Sequence, residues 1–219
     1  MKSYRAILFW FGGVLTDSLA ERTRAELAPG VRGSAAVSIR KQLRGLSGEL
    51  ALGNCTPQDY CQQAVLACQS DLAASELAAR ITASAEINAP VTDLVEKIAA
   101  SHECWLVVDY PASWYRELAE RWKLSSIFPE NRVVYTPDLK LLRMTPEIFY
   151  LLPQQVNQVM ADCLVIDPVS SRAVEAMRHG LATIIYVYPA RLKHELALQG
   201  IWQTEDNVMH PAASERVSL

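Results

Sequence analysis

The first sustained apolar run of the chain, Ala6-Ile7-Leu8-Phe9-Trp10-Phe11, contains no polar position and stops at Gly12-Gly13. A run of this length without alternation suits a strand covered on both faces and leading into a tight turn, the habit of a central parallel strand. From about Ser18 to Glu103 the pattern becomes helical, Ala-rich with Leu at helical spacings, and is broken at Pro29-Gly30, Gly33, Gly53-Asn54 and Ala89-Pro90. Within it, Thr56-Pro57-Gln58-Asp59 reads as an N-cap, a proline at the first helical position and an acid at the third. A helix is predicted from there to about Gln69.

After Glu103 the period changes again, and short apolar runs alternate with amphipathic ones. Strands are predicted over 104–108, 132–136, 163–166 and 182–188, and helices over 114–122, 145–152, 171–179 and 190–199, with Gly180 placed to end the third of these helices. Such alternation implies an α/β fold, a Rossmann-like parallel sheet wound with helices on both faces and carrying an inserted small helical bundle. The expected boundaries are residues 1–17 and 88–204 for the α/β core and 18–87 for the helical insert. The polar, aperiodic stretch 205–219 is expected to fray. Open parallel sheets bind ligands at the carboxyl ends of their strands. That rule directs attention to Trp10 to Gly13, Val108 to Tyr110, Arg143, and Asp167 to Ser170.

Composition narrows the partners. The chain has 219 residues, half of them hydrophobic and 21% charged, which excludes disorder and a disulfide scaffold. Lys plus Arg number 21 against 24 for Asp plus Glu, without a basic run, so neither nucleic acid nor a membrane surface is an expected partner. No stretch reaches the roughly 18–20 apolar residues of a membrane helix. Five cysteines, an odd count without a CxxC pair, fit a reduced, cytoplasmic protein, with Cys61 and Cys68 read as small buried hydrophobes. His102, His179, His194 and His210 have no metal-ligand or triad spacing and are read as surface residues. No serine sits in a G-x-S-x-G elbow.

The strand ends, in this order, resemble the motifs of the haloacid dehalogenase superfamily of phosphatases and dehalogenases. Ala6 to Ser18, AILFWFGGVLTDS, is similar to the first motif, a strand ending in Asp followed by x-(Asp or Gly)-Gly-Val-Leu-x-Asp. Leu106 to Trp114, LVVDYPASW, resembles the second, in which a Ser or Thr ends the strand. Leu141 to Phe149, LLRMTPEIF, resembles the third, with its Lys-Pro-Asp-Pro-Glu-Ile-Phe form. Cys163 to Gly180, CLVIDPVSSRAVEAMRHG, resembles the fourth, an Asp-Asp pair followed by a helix ending in Gly. The likeness spans nearly the whole chain and implies the subfamily whose small helical cap lies between the first and second motifs. Leu52 to Tyr60 is similar, more weakly, to a turn of the subgroup containing sugar-phosphate phosphatases.

Departures from those motifs bear on activity. The resemblance places Trp10 at the nucleophilic Asp, and an indole offers one N–H donor and no nucleophilic oxygen. Gly12 falls at the general-acid position, although Gly is common there in the subgroup. Val108 replaces the hydroxyl that grips phosphate, and neighbouring Asp109 would repel an anion. Arg143 replaces the clamping Lys and keeps its charge. Asp167-Pro168 replaces the acidic pair, leaving Asp167 as the one candidate ligand for a magnesium ion. The resemblance with these losses implies a pseudoenzyme with a binding or regulatory role and no expected cofactor. The alternative is an active hydrolase of a small phosphorylated metabolite with a reorganised site, using Mg²⁺. Trp10, Asp109, Arg143 and Asp167 are the candidate ligand-binding residues. Asp167 is expected to cap the following helix, Asp17 to organise the turn entering the insert, and Arg143 either to bind an anion or to pair with Asp109 or Asp167. The ligand or protein partner stays open, as does the choice between monomer and homodimer.

Overall fold

A computed structural model describes residues 4–139, 141 and 146–202. Five parallel strands form one sheet: β1 (Ala6–Trp10), β2 (Glu103–Val108), β3 (Val133–Tyr135), β4 (Cys163–Asp167) and β5 (Ala182–Ile185), in the spatial order β3-β2-β1-β4-β5. The first strand is therefore the central one. Every residue of β1 is buried, which is why its sequence shows no alternation. Its register pairs Ala6 with both Glu103 and Cys163, so the ends of β1, β2 and β4 fall close together at the carboxyl edge.

Nine α-helices are found among the described residues. Four of them, α1 (Leu19–Leu27), α2 (Gly33–Ala51), α3 (Pro57–Ala67) and α4 (Ala74–Ala83), come between β1 and the rest of the sheet and pack on one another. The others, α5 (Ala89–Ala99), α6 (Ala112–Arg121), α7 (Ile148–Gln155), α8 (Ser170–Arg178) and α9 (Pro189–Leu198), flank the sheet. Helix α3 starts as predicted: Thr56 and Asp59 form a reciprocal capping box, and Pro57 takes the first turn. At the end of α8, Gly180 has φ +88°, and Leu181 N–H donates to the Ala176 carbonyl, a glycine-terminated helix end.

Some boundaries differ from the sequence reading. Strand β5 stops at Ile185 rather than Tyr188, because Tyr188 serves as the N-cap of α9 and Pro189 opens that helix, leaving Val187 and Tyr188 exposed. Helix α7 runs past Leu152 through Pro153, with Thr145 outside the described residues. The 205–219 stretch also lies outside them.

Two linkers join the four-helix insert to the sheet, and both are pinned. Thr16 forms an antiparallel bridge with Ile87, and its hydroxyl donates to the Glu86 carbonyl at 2.7 Å. The Asn88 side-chain amide donates to the Val14 carbonyl at 3.0 Å and the Tyr186 hydroxyl at 2.7 Å. Arg121, at the end of α6, reaches across to the closing carbonyls of α4, donating to Thr82 at 2.7 Å and Ala85 at 3.2 Å. The Thr136 hydroxyl is within bonding distance of the carbonyls of Ala51, at the end of α2, and Val108, at the end of β2.

Candidate functional site

The carboxyl edge brings Trp10, Gly12, Asp109, Asp167 and Pro168 together. The Trp10 indole is 1% exposed, filling the space above the end of β1, and its Nε1–H has no acceptor. Its ring is covered on one face by the guanidinium of Arg172, 3.6 Å from the ring centroid. That contact is a cation–π stack in a water-poor setting, where such pairs are strongest. Arg172 also grips Asp167 with two bonds, Nε to Oδ2 at 2.5 Å and Nη2 to Oδ1 at 2.9 Å. Asp167 is 2% exposed, and its Oδ1 takes a third bond from the Val169 N–H at 2.7 Å.

Asp167 is thus not the cap of α8. The N–H it accepts belongs to Val169, the residue before that helix, and its charge is matched by Arg172. Arg143 itself lies outside the described residues. Arg172 was not singled out from the sequence. The available signal was its place in the first turn of α8, since helical side chains lean toward the helix N-terminus and so back toward the strand end. Nothing in the sequence said that this arginine would lie flat on Trp10.

Asp109 lies on the other side of β1. Its Oδ1 accepts the Gly12 N–H at 3.1 Å, and a Cβ on Gly12 would stand 2.8 Å from that same oxygen. Gly12 is therefore bare because Asp109 occupies the space a side chain would need. Gly13, at φ +87°, lies so close to Pro168 that a Cβ would sit 2.8 Å from its ring. Burial pushes the Asp109 carboxyl up to about 6, against the pull of Arg172 and of the Gly12 N–H. Val108 contributes no side-chain donor, and its carbonyl accepts from Thr136. Asp17 is exposed, and its carbonyl accepts from the Tyr110 hydroxyl at 2.7 Å, a backbone tie at the entrance to the insert.

His179, read as a surface residue, is more engaged than that, while the sequence reads Cys61 and Cys68 as buried. His179 meets the Tyr150 hydroxyl at 2.8 Å and the Glu175 carboxylate at 3.2 Å. Cys61 is fully buried and its thiol is pushed up to about 11 by burial, whereas Cys68 is half-buried.

The residues present do not fit a magnesium site. Magnesium asks for several free oxygen ligands in octahedral array. Both oxygens of Asp167 are committed to Arg172, and the side chains of Pro168 and Trp10 supply no oxygen. Among the described residues no three His, Cys, Asp or Glu side chains are grouped to hold a metal ion.

No protein-family model and no curated protein matches the sequence. Solved structures do match in shape. A HAD family enzyme from Bacteroides thetaiotaomicron, in complex with magnesium and inorganic phosphate, shares 15% identity over 85% of this chain and 96% of its own, with a TM-score of 0.63. A HAD-like family hydrolase from Porphyromonas gingivalis shares 16% identity over 91% and 99%, with a TM-score of 0.66. The L-2-haloacid dehalogenase of Xanthobacter autotrophicus, with chloropropionic acid covalently bound, shares 15% over 91% and 85%, at 0.64. At this identity the likeness defines the fold: the chain has the HAD-like α/β architecture.

Proposed function

We propose that this protein is a non-catalytic member of the HAD-like fold, a binding or regulatory module in which residues 18–87 act as the cap over a core of 1–17 and 88–204. The observation that carries the reading is the Trp10–Arg172–Asp167 stack. The motif resemblance puts Trp10 where a carboxylate nucleophile would be needed. An internal cation is held against that ring and against the carboxylate that would otherwise face a metal. Loss of either the nucleophile or the metal removes several kcal/mol of transition-state stabilisation. In this reading the floor of the ancestral pocket is filled by the protein's own groups, and recognition is left to whatever meets the cap–core interface, a small molecule or a protein. A reducing cytoplasmic setting belongs to the same reading, and the five free thiols are compatible with it. Neither monomer nor homodimer is favoured.

The test is a panel of phosphorylated metabolites, acyl phosphates and haloacids, with and without Mg²⁺, on wild type beside Trp10→Asp and Asp167→Ala. Silence in wild type is expected. Mg²⁺-dependent turnover that disappears in Asp167→Ala would overturn the reading.

A second reading keeps an enzyme with a reorganised site. It is favoured by the Asp109 carboxyl alone, since a value of about 6 lies in the range of a general acid or base. Turnover of any substrate in the panel that falls by about a hundredfold or more in Asp109→Asn would establish it.

A further inference from the structure

A cavity of about 270 Å³ opens between α6 and the segment leading into β3. Neither Trp10, Asp109 nor Asp167 lines it, so it is separate from the strand ends. Tyr115 and Ala119 line it from α6, and Phe128 lines it from the segment before β3. Tyr115 and Phe128 are buried, which makes them its floor, whereas the charged side chains that line it, Arg116, Glu120 and Glu130, are exposed and form its rim.

Tyr115 is the unusual member. It is 2% exposed, and its ring is held edge-on by Phe11, at 5.3 Å between centroids, and by Tyr135, at 5.8 Å. Its hydroxyl has no hydrogen-bond partner among the described residues, and unlike the Trp10 Nε1 it is not sealed from solvent. Burial, with Tyr135 and Glu130 nearby, pushes this phenol well above its usual range. At neutral pH the hydroxyl therefore keeps its proton and offers one donor and two lone pairs. A polar group this deeply placed is ordinarily satisfied, and here the opening it can be satisfied from is the cavity.

The rim sets the sign of the partner. Arg116 Nη2 lies 3.8 Å from Glu130 Oε1, and the Tyr135 hydroxyl donates to the same oxygen at 3.4 Å. Glu120 has no cation within ion-pair distance among the described residues. One guanidinium against two carboxylates leaves the rim with one negative charge in excess. An anion would be repelled by it, and a cation would balance it. Aromatic faces beside a carboxylate suit an organic cation, the rings taking its body and the carboxylate its charge. The volume lies just under the usual range for ligand pockets, which limits the body to a single ring or a short chain.

We propose that this cavity binds a small primary amine, whose apolar or aromatic body lies against Tyr115 and Phe128 and whose ammonium donates to the Tyr115 hydroxyl and the Glu120 carboxylate. The proposal goes beyond the reading above and does not depend on it, since no strand-end residue takes part.

The experiment uses the full chain at pH 7 with benzylammonium chloride as probe, against benzyl alcohol and sodium benzoate at matched ionic strength. Affinity is read by calorimetry and by backbone amide shifts on wild type, Tyr115→Phe and Glu120→Gln. The first variant keeps the ring, and the second changes an exposed side chain. Benzylammonium is expected to bind wild type with a Kd of about a millimolar and to move amides within 115–130. The Kd is expected to rise about tenfold in Glu120→Gln, which loses a hydrogen bond to a charged group, and about threefold to tenfold in Tyr115→Phe. Amide shifts that fall elsewhere, an affinity unchanged in either variant, or equal binding of benzyl alcohol or benzoate would each overturn the proposal. Turnover in the enzymatic panel is measured without the amine, so the two readings fail separately.

Discussion

At the scale of single residues, Arg172 does two things at once: it stacks on Trp10 and neutralises Asp167. Arg172→Met would leave the Asp167 carboxylate buried without a cation, a change expected to destabilise the fold by about 3–5 kcal/mol. In the double variant with Asp167→Asn the loss should be well below the sum of the two, and chemical denaturation of all four proteins measures the difference. Asp109 carries a pH signature. Its carboxyl titrates near 3.8 when exposed and near 6 in the folded chain, so the folded state holds the extra proton between those values. Its contribution is favourable in acid and is lost as pH rises through about 6. Asp109→Asn, which still accepts the Gly12 N–H, is therefore expected to be more stable than wild type at pH 8. Since the residue keeps some surface, the gain is no more than about 2 kcal/mol, and it should vanish below about pH 4. Melting curves across that range decide it.

At the scale of elements, the insert is held by caps and straps whose removal should act locally. Thr56→Ala loses the capping box of α3 and is expected to cost about 1 kcal/mol, visible as a lower denaturation midpoint with an unchanged slope. Arg121→Ala frees the closing carbonyls of α4, and amide exchange is expected to quicken across 74–83 and not across β1 or β4. The same elements show what was legible in the sequence. The order of strands and helices was readable because fully buried parallel strands are apolar without a break, and Thr56-Pro57-Gln58-Asp59 carries its cap chemistry in contiguous residues. Strand β5 was read too long because Val187 and Tyr188 continue an apolar run that the following Pro189 turns into a helix entrance. The motif positions Trp10, Gly12, Asp109 and Asp167 were readable from their place at strand ends. The partner was not: Arg172 on Trp10 depends on rotamers and on packing between elements far apart in sequence.

At the scale of the whole molecule, the five thiols are free and raised by burial, Cys104 to about 12 and Cys163 to about 11. Addition of reductant is expected to leave the melting temperature unchanged, and thiol labelling near neutral pH should begin at the half-buried Cys55 and Cys68. The central position of β1 also has a consequence for how the chain is made. Its two neighbours in the sheet, β2 and β4, begin at Glu103 and Cys163. At ribosomal rates of roughly 5–20 residues per second, β1 waits about 5–20 s for its first partner and longer for its second. During that interval the most water-averse segment of the protein is a lone strand with both edges open. The helices α1 to α5 are made in that interval, before either strand partner of β1 exists.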